Sequence, residues 1–574
     1  MKADDRREPV FNAAESQTPS MCGNSVHGNR ESPPVSPQDG GGERSGKAAG
    51  RTPDVYAGGQ SDDSIVPQKR ANKAGERAGS GYSGTRRRKG EPTENTNTGL
   101  NQLPPAAESV EGRGSIKGNA DQEATRRTQS RESGSTGLGR VREVARRDKK
   151  VRFTALLHHI DRGLLKWSFF KLKREAGPGV DGVTWRQYEE GLDDRLTDLH
   201  ERLHRGAYRA QPSKRVWIPK PDGRQRPIGI ATLEDKIVQQ AVRIVLEQIY
   251  EEDFLGFSYG FRPGRGGHNA LDALYVGIVK RKVNYVLDAD IRGFFDAIDH
   301  EWMLKFLEHR IADRRILRLI RKWLRAGVSE DGEWSKTTVG TPQGSVISPL
   351  LANVFLHYVF DLWADHWRKH RATGDVIIVR YADDFVVGFQ HRGEAERFLR
   401  ELKERLEKFR LELHPEKTRL IEFGRFAAER RKRRGEGRPE TFDFLGFTHI
   451  CGRDKRGWFD LRRSSVAKRM RAKLQQIKEE LRRRMHHKPS DVGRWLRSVV
   501  QGWYNYHAVP GNEDRLNAFR DRVTRHWLHA LRRRSQRGRK RWNWKRFRRR
   551  LVRRWIPSVR IKHPYPTQRL IVTT

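Results

Sequence analysis

Cysteine is nearly absent: among 574 residues the chain has only Cys22 and Cys451. Two thiols exclude a disulfide framework, a Cys₄ zinc site and the paired Cys-x-x-Cys of an HNH nuclease module. They leave a reducing, cytoplasmic setting as the default expectation. Long apolar runs are missing too. With no stretch of about 18 apolar residues, no membrane association is expected. The opening Met1-Lys2-Ala3-Asp4-Asp5 lacks the apolar core of a signal peptide. Acid is scarce relative to base: 72 Asp and Glu stand against 116 Lys and Arg, a formal charge of +44. Self-repulsion of that size destabilises a compact chain unless a polyanion offsets it. Nucleic acid is the expected partner, bound with an affinity that falls steeply with salt.

Residues 1–105 lack aromatic periodicity and are rich in Gly, Ser, Asn and Pro, with Gly40-Gly41-Gly42 and Gly79-Ser80-Gly81 inside the run. Such a segment buries too little apolar area to offset its ordering entropy, so disorder is expected there. Order begins near Val141. Arg152 to Leu165 carries a helical apolar face, and Leu233 to Tyr250 another. Val216 to Ile230 reads as a hairpin turning at Pro221-Asp222-Gly223. Further on, apolar stripes led by Met470, Trp495 and Phe519 predict three amphipathic helices with basic outer faces, a helical bundle.

Tyr381-Ala382-Asp383-Asp384 is the most informative stretch. It separates Val376-Ile377-Ile378-Val379 from Phe385-Val386-Val387, two short β-branched runs that read as buried strands. An unpaired buried carboxylate costs several kcal/mol or takes up a proton. Divalent cations remove that cost, and carboxylate oxygens suit Mg²⁺, whose sites commonly include substrate phosphates. The competing reading is a solvated turn, since Asp is a common turn residue. Two-metal phosphoryl transfer also needs a facing carboxylate, so that ions roughly 3.5–4 Å apart can be shared. Val286 to Ile291 supplies a strand with Asp288 and Asp290 on one face. Spacing does not choose between them, although Asp288 also fits a surface-facing acidic strand end.

Asp290-Ile291-Arg292-Gly293-Phe294-Phe295-Asp296, Gly340 to Pro349, the Tyr-Ala-Asp-Asp hairpin and Gly502-Trp503-Tyr504-Asn505-Tyr506-His507 occur in that order. Together they resemble the bacterial group II intron-encoded proteins, which are reverse transcriptases and RNA maturases, over about 170–560. The resemblance implies an α+β right-hand polymerase fold: fingers and palm with an antiparallel sheet, an α-helical thumb or maturase domain, and a basic tail. The implied layout is 106–210 as a helical, basic, RNA-binding extension of the fingers and 211–455 as fingers and palm. Residues 456–531 would be the thumb and 532–574 the tail. The first motif picks Asp290 over Asp288. Asp290, Asp383 and the Ile291 carbonyl are then expected to hold two Mg²⁺ ions, with Asp384 the less direct ligand.

The same resemblance places a nucleotide site. Lys220 and Arg226 flank the hairpin turn and would clamp a triphosphate, Lys as a point charge and Arg through its fork; Lys214 is a third candidate. Ordinary surface charge is the competing reading. In the family the Gly340–Pro349 loop supports the incoming nucleotide and its template base, with Gln343 on the nucleotide and Gly344 on the template. Phe295 would exclude a 2′-hydroxyl, while Phe294 packs in the core. Tyr381 and the Ser258 to His268 loop, through Tyr259, Arg262 and Arg265, are expected to touch template or primer by stacking and phosphate contact. His268 reads as structural. Arg541, Trp542, Trp544 and Arg549 interleave cations and rings in the tail, the pattern of a nucleic-acid contact, and the resemblance implies that this region binds DNA.

The functional expectation is an RNA-directed DNA polymerase, a nucleotidyltransferase using deoxynucleoside triphosphates. It would also assist splicing of its own group II intron RNA and insertion into target DNA. With no HNH module, mobility would draw on another primer, such as a nascent strand at a replication fork. The alternatives are a retron-like or diversity-generating reverse transcriptase, or a non-catalytic RNA-binding maturase.

Overall fold

The structure, a computed structural model, describes residues 137–219, 225–330, 333–335, 339–341 and 344–569. The expected disorder of 1–105, the Pro221-Asp222-Gly223 turn, Lys220 and Gln343 lie outside the described residues.

Strands are β1 (Ser213–Pro219), β2 (Gln225–Ile230), β3 (Tyr285–Asp290), β4 (Val328–Glu330), β5 (Glu333–Ser335), β6 (Val376–Tyr381), β7 (Asp384–Phe389), β8 (Arg419–Glu422), β9 (Phe442–Phe444), β10 (Phe447–Arg453) and β11 (Phe459–Ser465). They form three sheets, ordered β2-β1-β4-β5, β6-β7-β3-β8 and β11-β10-β9. The second is wholly antiparallel. Its strands alternate faces with period two. Leu287, Ala289, Ile378, Phe385 and Val387 face one core, shared with the Leu233–Asp253, Ser348–Leu356 and Arg392–Glu407 helices. Val286, Val379, Val386 and Ile421 face another, shared with the Gly267–Lys280 helix and the β9–β11 sheet. A sheet covered on both faces explains why its strands read as nearly continuous apolar runs.

The helices differ from the periodicity reading in one place. Arg152 to Leu165 is not a single helix: Phe153 bridges to Ile311, Leu157–His159 is a short 3₁₀ turn, and a helix runs only from Arg162 to Lys171. Asp161 ends the continuity, because its carboxylate caps the new helix at the Leu164 N–H, 2.6 Å away.

Beyond β11 the Ala467–Arg483, Pro489–His507 and Glu513–Arg533 helices pack around Leu474, Leu496, Phe519 and Trp527. The same core takes in Phe547, Val552 and Ile556, so the segment after Arg533 is docked on these helices. The helices meet the sheets at a polar junction. Asn512 Nδ2 donates to Ser465 Oγ and to the His507 carbonyl, both at 2.8 Å, and Tyr506 Oη donates to the Leu445 carbonyl at 2.7 Å. His563 returns to the same place, donating its backbone N–H to Ala508 and stacking on His268 at 3.7 Å.

Candidate active site

Asp290 and Asp384 are opposite each other in the β3–β7 register. Directly paired antiparallel residues have Cα atoms about 4.5–5.5 Å apart and point to the same face. Asp383 is one residue further, so its Cα lies within about 10 Å of that of Asp290. Tyr381 also pairs with Asp384, which makes Ala382-Asp383 a two-residue hairpin connection. Ala382 has φ +57°, the left-handed region expected at the first central position of a II′-type turn. Glycine is the residue at ease there; for alanine the conformation costs roughly 1–2 kcal/mol.

The carboxylates are crowded. Burial, then Asp288, Asp290 and Asp383, pushes the Asp384 carboxyl well above the ordinary range. Burial, and then the facing Asp290, raises Asp383, while Arg226 and Lys417 oppose the rise. Asp288 is not the exposed strand end that its sequence context suggested. It is 9% exposed, opposite Arg419 of β8, and pushed up to about 7 by burial. The reason is its position on the Val286 face, beneath the β9–β11 sheet.

Hard oxygen donors that resist ionisation until a cation arrives fit Mg²⁺. A cation already stands there: Lys417 Nζ pairs with Asp290 Oδ2. Among the described residues no three acidic, His or Cys side chains converge on one point as a closed metal cage. Two carboxylates with substrate oxygens completing the shell is the usual Mg²⁺ arrangement. The Ile291–Leu413 bridge uses the Asp290 carbonyl and the Arg292 N–H. The Ile291 carbonyl is outside that bridge's own hydrogen bonds.

Several expected nucleotide contacts gather here. Arg226 is exposed on β2 and near enough to bear on Asp383. Lys214 shares its face, but the β1–β2 register puts it four residues along the strand, about 13 Å away. Phe295 is half-buried, edge-on to Phe261 at 6.3 Å, while Phe294 is buried. Thr341 N–H donates to the Phe295 carbonyl, and a Cβ at Gly344 would come within 2.7 Å of the Gly229 carbonyl. The glycine-rich loop therefore joins the Phe295 turn to β2.

Other expected contacts point elsewhere. Tyr259 is buried in the second core, and Arg262 is turned inward onto Glu251 and the Leu255 and Ser258 carbonyls. Arg265 bonds the Gly256 carbonyl and covers Tyr259. Tyr259 and Arg262 hold the loop's shape from inside, which corrects their reading as template contacts, while Arg265 stays half-exposed; the loop's compositional signal carried no information about which way they face. Tyr381 stays half-buried beside Asp384. In the tail, Trp542 sits edge-on to Phe547, Trp544 is 40% exposed, and Arg541 and Arg549 are exposed.

Two residues of the site escaped the sequence reading. Lys417 is one. Arg380, fully buried in β6, is the other: it forks onto Asp361 with two contacts of 2.6 Å. A single charge inside a β-branched run was the signal for Arg380; Lys417 had none.

The hairpin thus brings Asp383 and Asp384 to face Asp290 across one sheet. Residues 218–449 match the family described as reverse transcriptase (RNA-dependent DNA polymerase). The chain is 33% identical over 298 residues to Protein YkfC of Escherichia coli, covering 46% of this chain and 78% of that protein. It is 36% identical over 210 residues to the group II intron-encoded protein LtrA of Lactococcus lactis, covering 36% of this chain but only 34% of LtrA. A shorter match, 33% over 114 residues, joins it to nuclear intron maturase 2 of Arabidopsis thaliana, 18% of this chain and 14% of that one. The chain belongs to the reverse transcriptase family.

Proposed function

We infer that this chain copies RNA into DNA and also serves as a splicing cofactor for the intron RNA that encodes it. The observation that carries the first activity is the Asp290–Asp384 pair with Asp383 in the adjoining turn. The β3–β8 sheet is then the palm, β1 and β2 belong to the fingers, and the helices after β11 form the thumb. Two bound Mg²⁺ ions would lower the pKa of the primer 3′-hydroxyl and neutralise charge on the departing pyrophosphate. Asp290 and Asp383 would hold them, with Asp384 behind. The protein's own groups do the positioning. Arg226 meets the triphosphate, Phe295 stands where the sugar passes, and the Gly340–Gly344 loop keeps that ring and β2 in register. No covalent intermediate is needed. Primer extension on an RNA template with deoxynucleotides and Mg²⁺ tests this. Wild-type protein is expected to extend the primer, and Asp383→Asn with Asp384→Asn to abolish extension at unchanged RNA affinity. Extension by the double variant would refute the assignment.

A basic groove supports the second activity. It lies between the Ala467–Arg483 and Glu513–Arg533 helices, has a volume of about 660 Å³, and is lined by Arg471, Lys478, Arg522 and Arg525. His526 in the same groove has its pKa lowered by burial and then by Lys478. Phosphate would relieve that accumulation of positive charge. The tail adds the exposed cations Arg541, Lys545, Arg548, Arg549 and Arg550, and target DNA is the ligand we assign to them.

A further inference from the structure

The catalytic hairpin is strained, and something must hold it. Arg380 is two residues before Ala382 and 0% exposed, as is Asp361. A guanidinium has five N–H donors, and all five are engaged. Nε and Nη2 fork onto the two Asp361 oxygens at 2.6 Å; Nη2 also donates to Ser258 Oγ at 2.7 Å. Nη1 donates to Asn353 Oδ1 at 3.0 Å and to the Ala382 carbonyl at 2.9 Å.

The last of these bonds fixes the peptide plane between Ala382 and Asp383, at the residue whose φ is +57°. The others tie that peptide to three separate elements. Asp361 closes the π-turn His357–Asp361. Asn353, on the helix that follows the nucleotide loop, also donates from Nδ2 to the Gly260 carbonyl at 2.7 Å. Gly260 packs directly on the hairpin, where any Cβ would collide with the Ala382 backbone nitrogen. Its neighbour Phe261, itself at φ +58°, meets the edge of Phe295.

We propose that Arg380 is a positioning residue, whose fork on Asp361 clamps the Ala382 carbonyl and so aims the Asp383 carboxylate. Through Asn353 and Gly260 the same clamp seats Phe261 against Phe295, so metal affinity and sugar selection share one support. Buried ion pairs of this kind are poor sources of stability, since apolar replacements of both partners are often tolerated. The pair here is explained by geometry: only a planar fork reaches four acceptor groups at once, and an ammonium has three donors and no plane.

The inference rests on the polymerase reading. The test uses the full chain on a primer-annealed RNA template, comparing wild type with Arg380→Met/Asp361→Leu, which removes both charges, and with Arg380→Lys. The double variant is expected to keep the wild-type melting temperature within a few degrees and its primer–template affinity within about twofold. Its kcat should fall more than tenfold, its Mg²⁺ half-saturation should rise at least threefold, and its deoxy-to-ribonucleotide preference should weaken. Arg380→Lys should recover less than a tenth of the lost rate. If the double variant does not fold, Asn353→Ala carries the same readouts with about a fivefold loss. A folded clamp variant with wild-type kcat and Mg²⁺ dependence overturns the proposal, as does full rescue by lysine. A wild-type protein that incorporates nothing refutes the polymerase reading instead.

Discussion

Acid should loosen the β9–β11 sheet and its junction with the helical bundle. His449 of β10 is fully buried, and its ring stacks on Phe442 at 4.7 Å. Burial, then the Arg463 guanidinium, pushes its pKa down to about 3. His507, at the end of the Pro489–His507 helix, stacks on Trp503 at 3.9 Å and meets Ser465 Oγ through Nδ1 at 3.0 Å. Burial, then Arg469, pushes it likewise to about 3. In the unfolded chain both return to about 6.5. The folded state thus binds fewer protons between those limits, so stability is complete above pH 6.5 and is lost as pH falls toward 3. At pH 4.5 the loss is about 2.7 kcal/mol for each histidine, taking about 1.36 kcal/mol per pH unit. Local opening charges the rings without global unfolding, so this is a ceiling. With about 2–4 °C of melting temperature per kcal/mol, His449→Phe should retain roughly 5–10 °C more of its pH 7.5 value at pH 4.5 than wild type does. The phenyl ring keeps the stack on Phe442. Proteolysis at pH 4.5 should cut wild type first between residues 454 and 466, and the variant later. Equal acid losses in the two proteins would refute the reasoning.

Phe295→Ala should admit ribonucleotides, read as a fall of at least tenfold in the deoxy-to-ribo ratio of kcat/KM; an unchanged ratio removes Phe295 from sugar selection. Gly260→Ala forces a Cβ into the Ala382 backbone and should cost about 1–3 kcal/mol of stability, with incorporation falling more than tenfold in the protein that remains folded. Asp272→Ala leaves Arg463, only 2% exposed, without the carboxylate that sits 2.9 Å away. Breaking one side of such a pair costs about 3–5 kcal/mol, so denaturant unfolding should show a large loss that Asp272→Leu/Arg463→Met largely restores.

The carboxylate hairpin was legible because its signal is local: two β-branched runs around Asp383-Asp384, and alternation that put Asp288 and Asp290 on one face. The three bundle helices were legible for the same reason, each carrying its own apolar stripe. What escaped depends on distant partners. Arg380 acquires meaning only from Ser258, Asn353 and Asp361, and Lys417 only from Asp290, more than a hundred residues earlier. Asp288 looked exposed because nothing near it in sequence announces that β9–β11 will cover it. Tyr259 and Arg262 show the converse error: a loop rich in Arg, Gly and aromatic residues fits outward contact and inward bracing equally well. The tail's tryptophans divide in the same way, since Trp542 and Trp555 pack against the bundle whereas Trp544 keeps an exposed ring.

His563 has a consequence for how the molecule is made. Its ring covers His268, which starts a helix of the palm layer, and its backbone fastens to Ala508. Ribosomes deliver the polymerase half long before they deliver this latch. The junction already made by Tyr506 on Leu445 and by Asn512 on Ser465 therefore gains its last fastening only late in synthesis, after the catalytic sheet has been made.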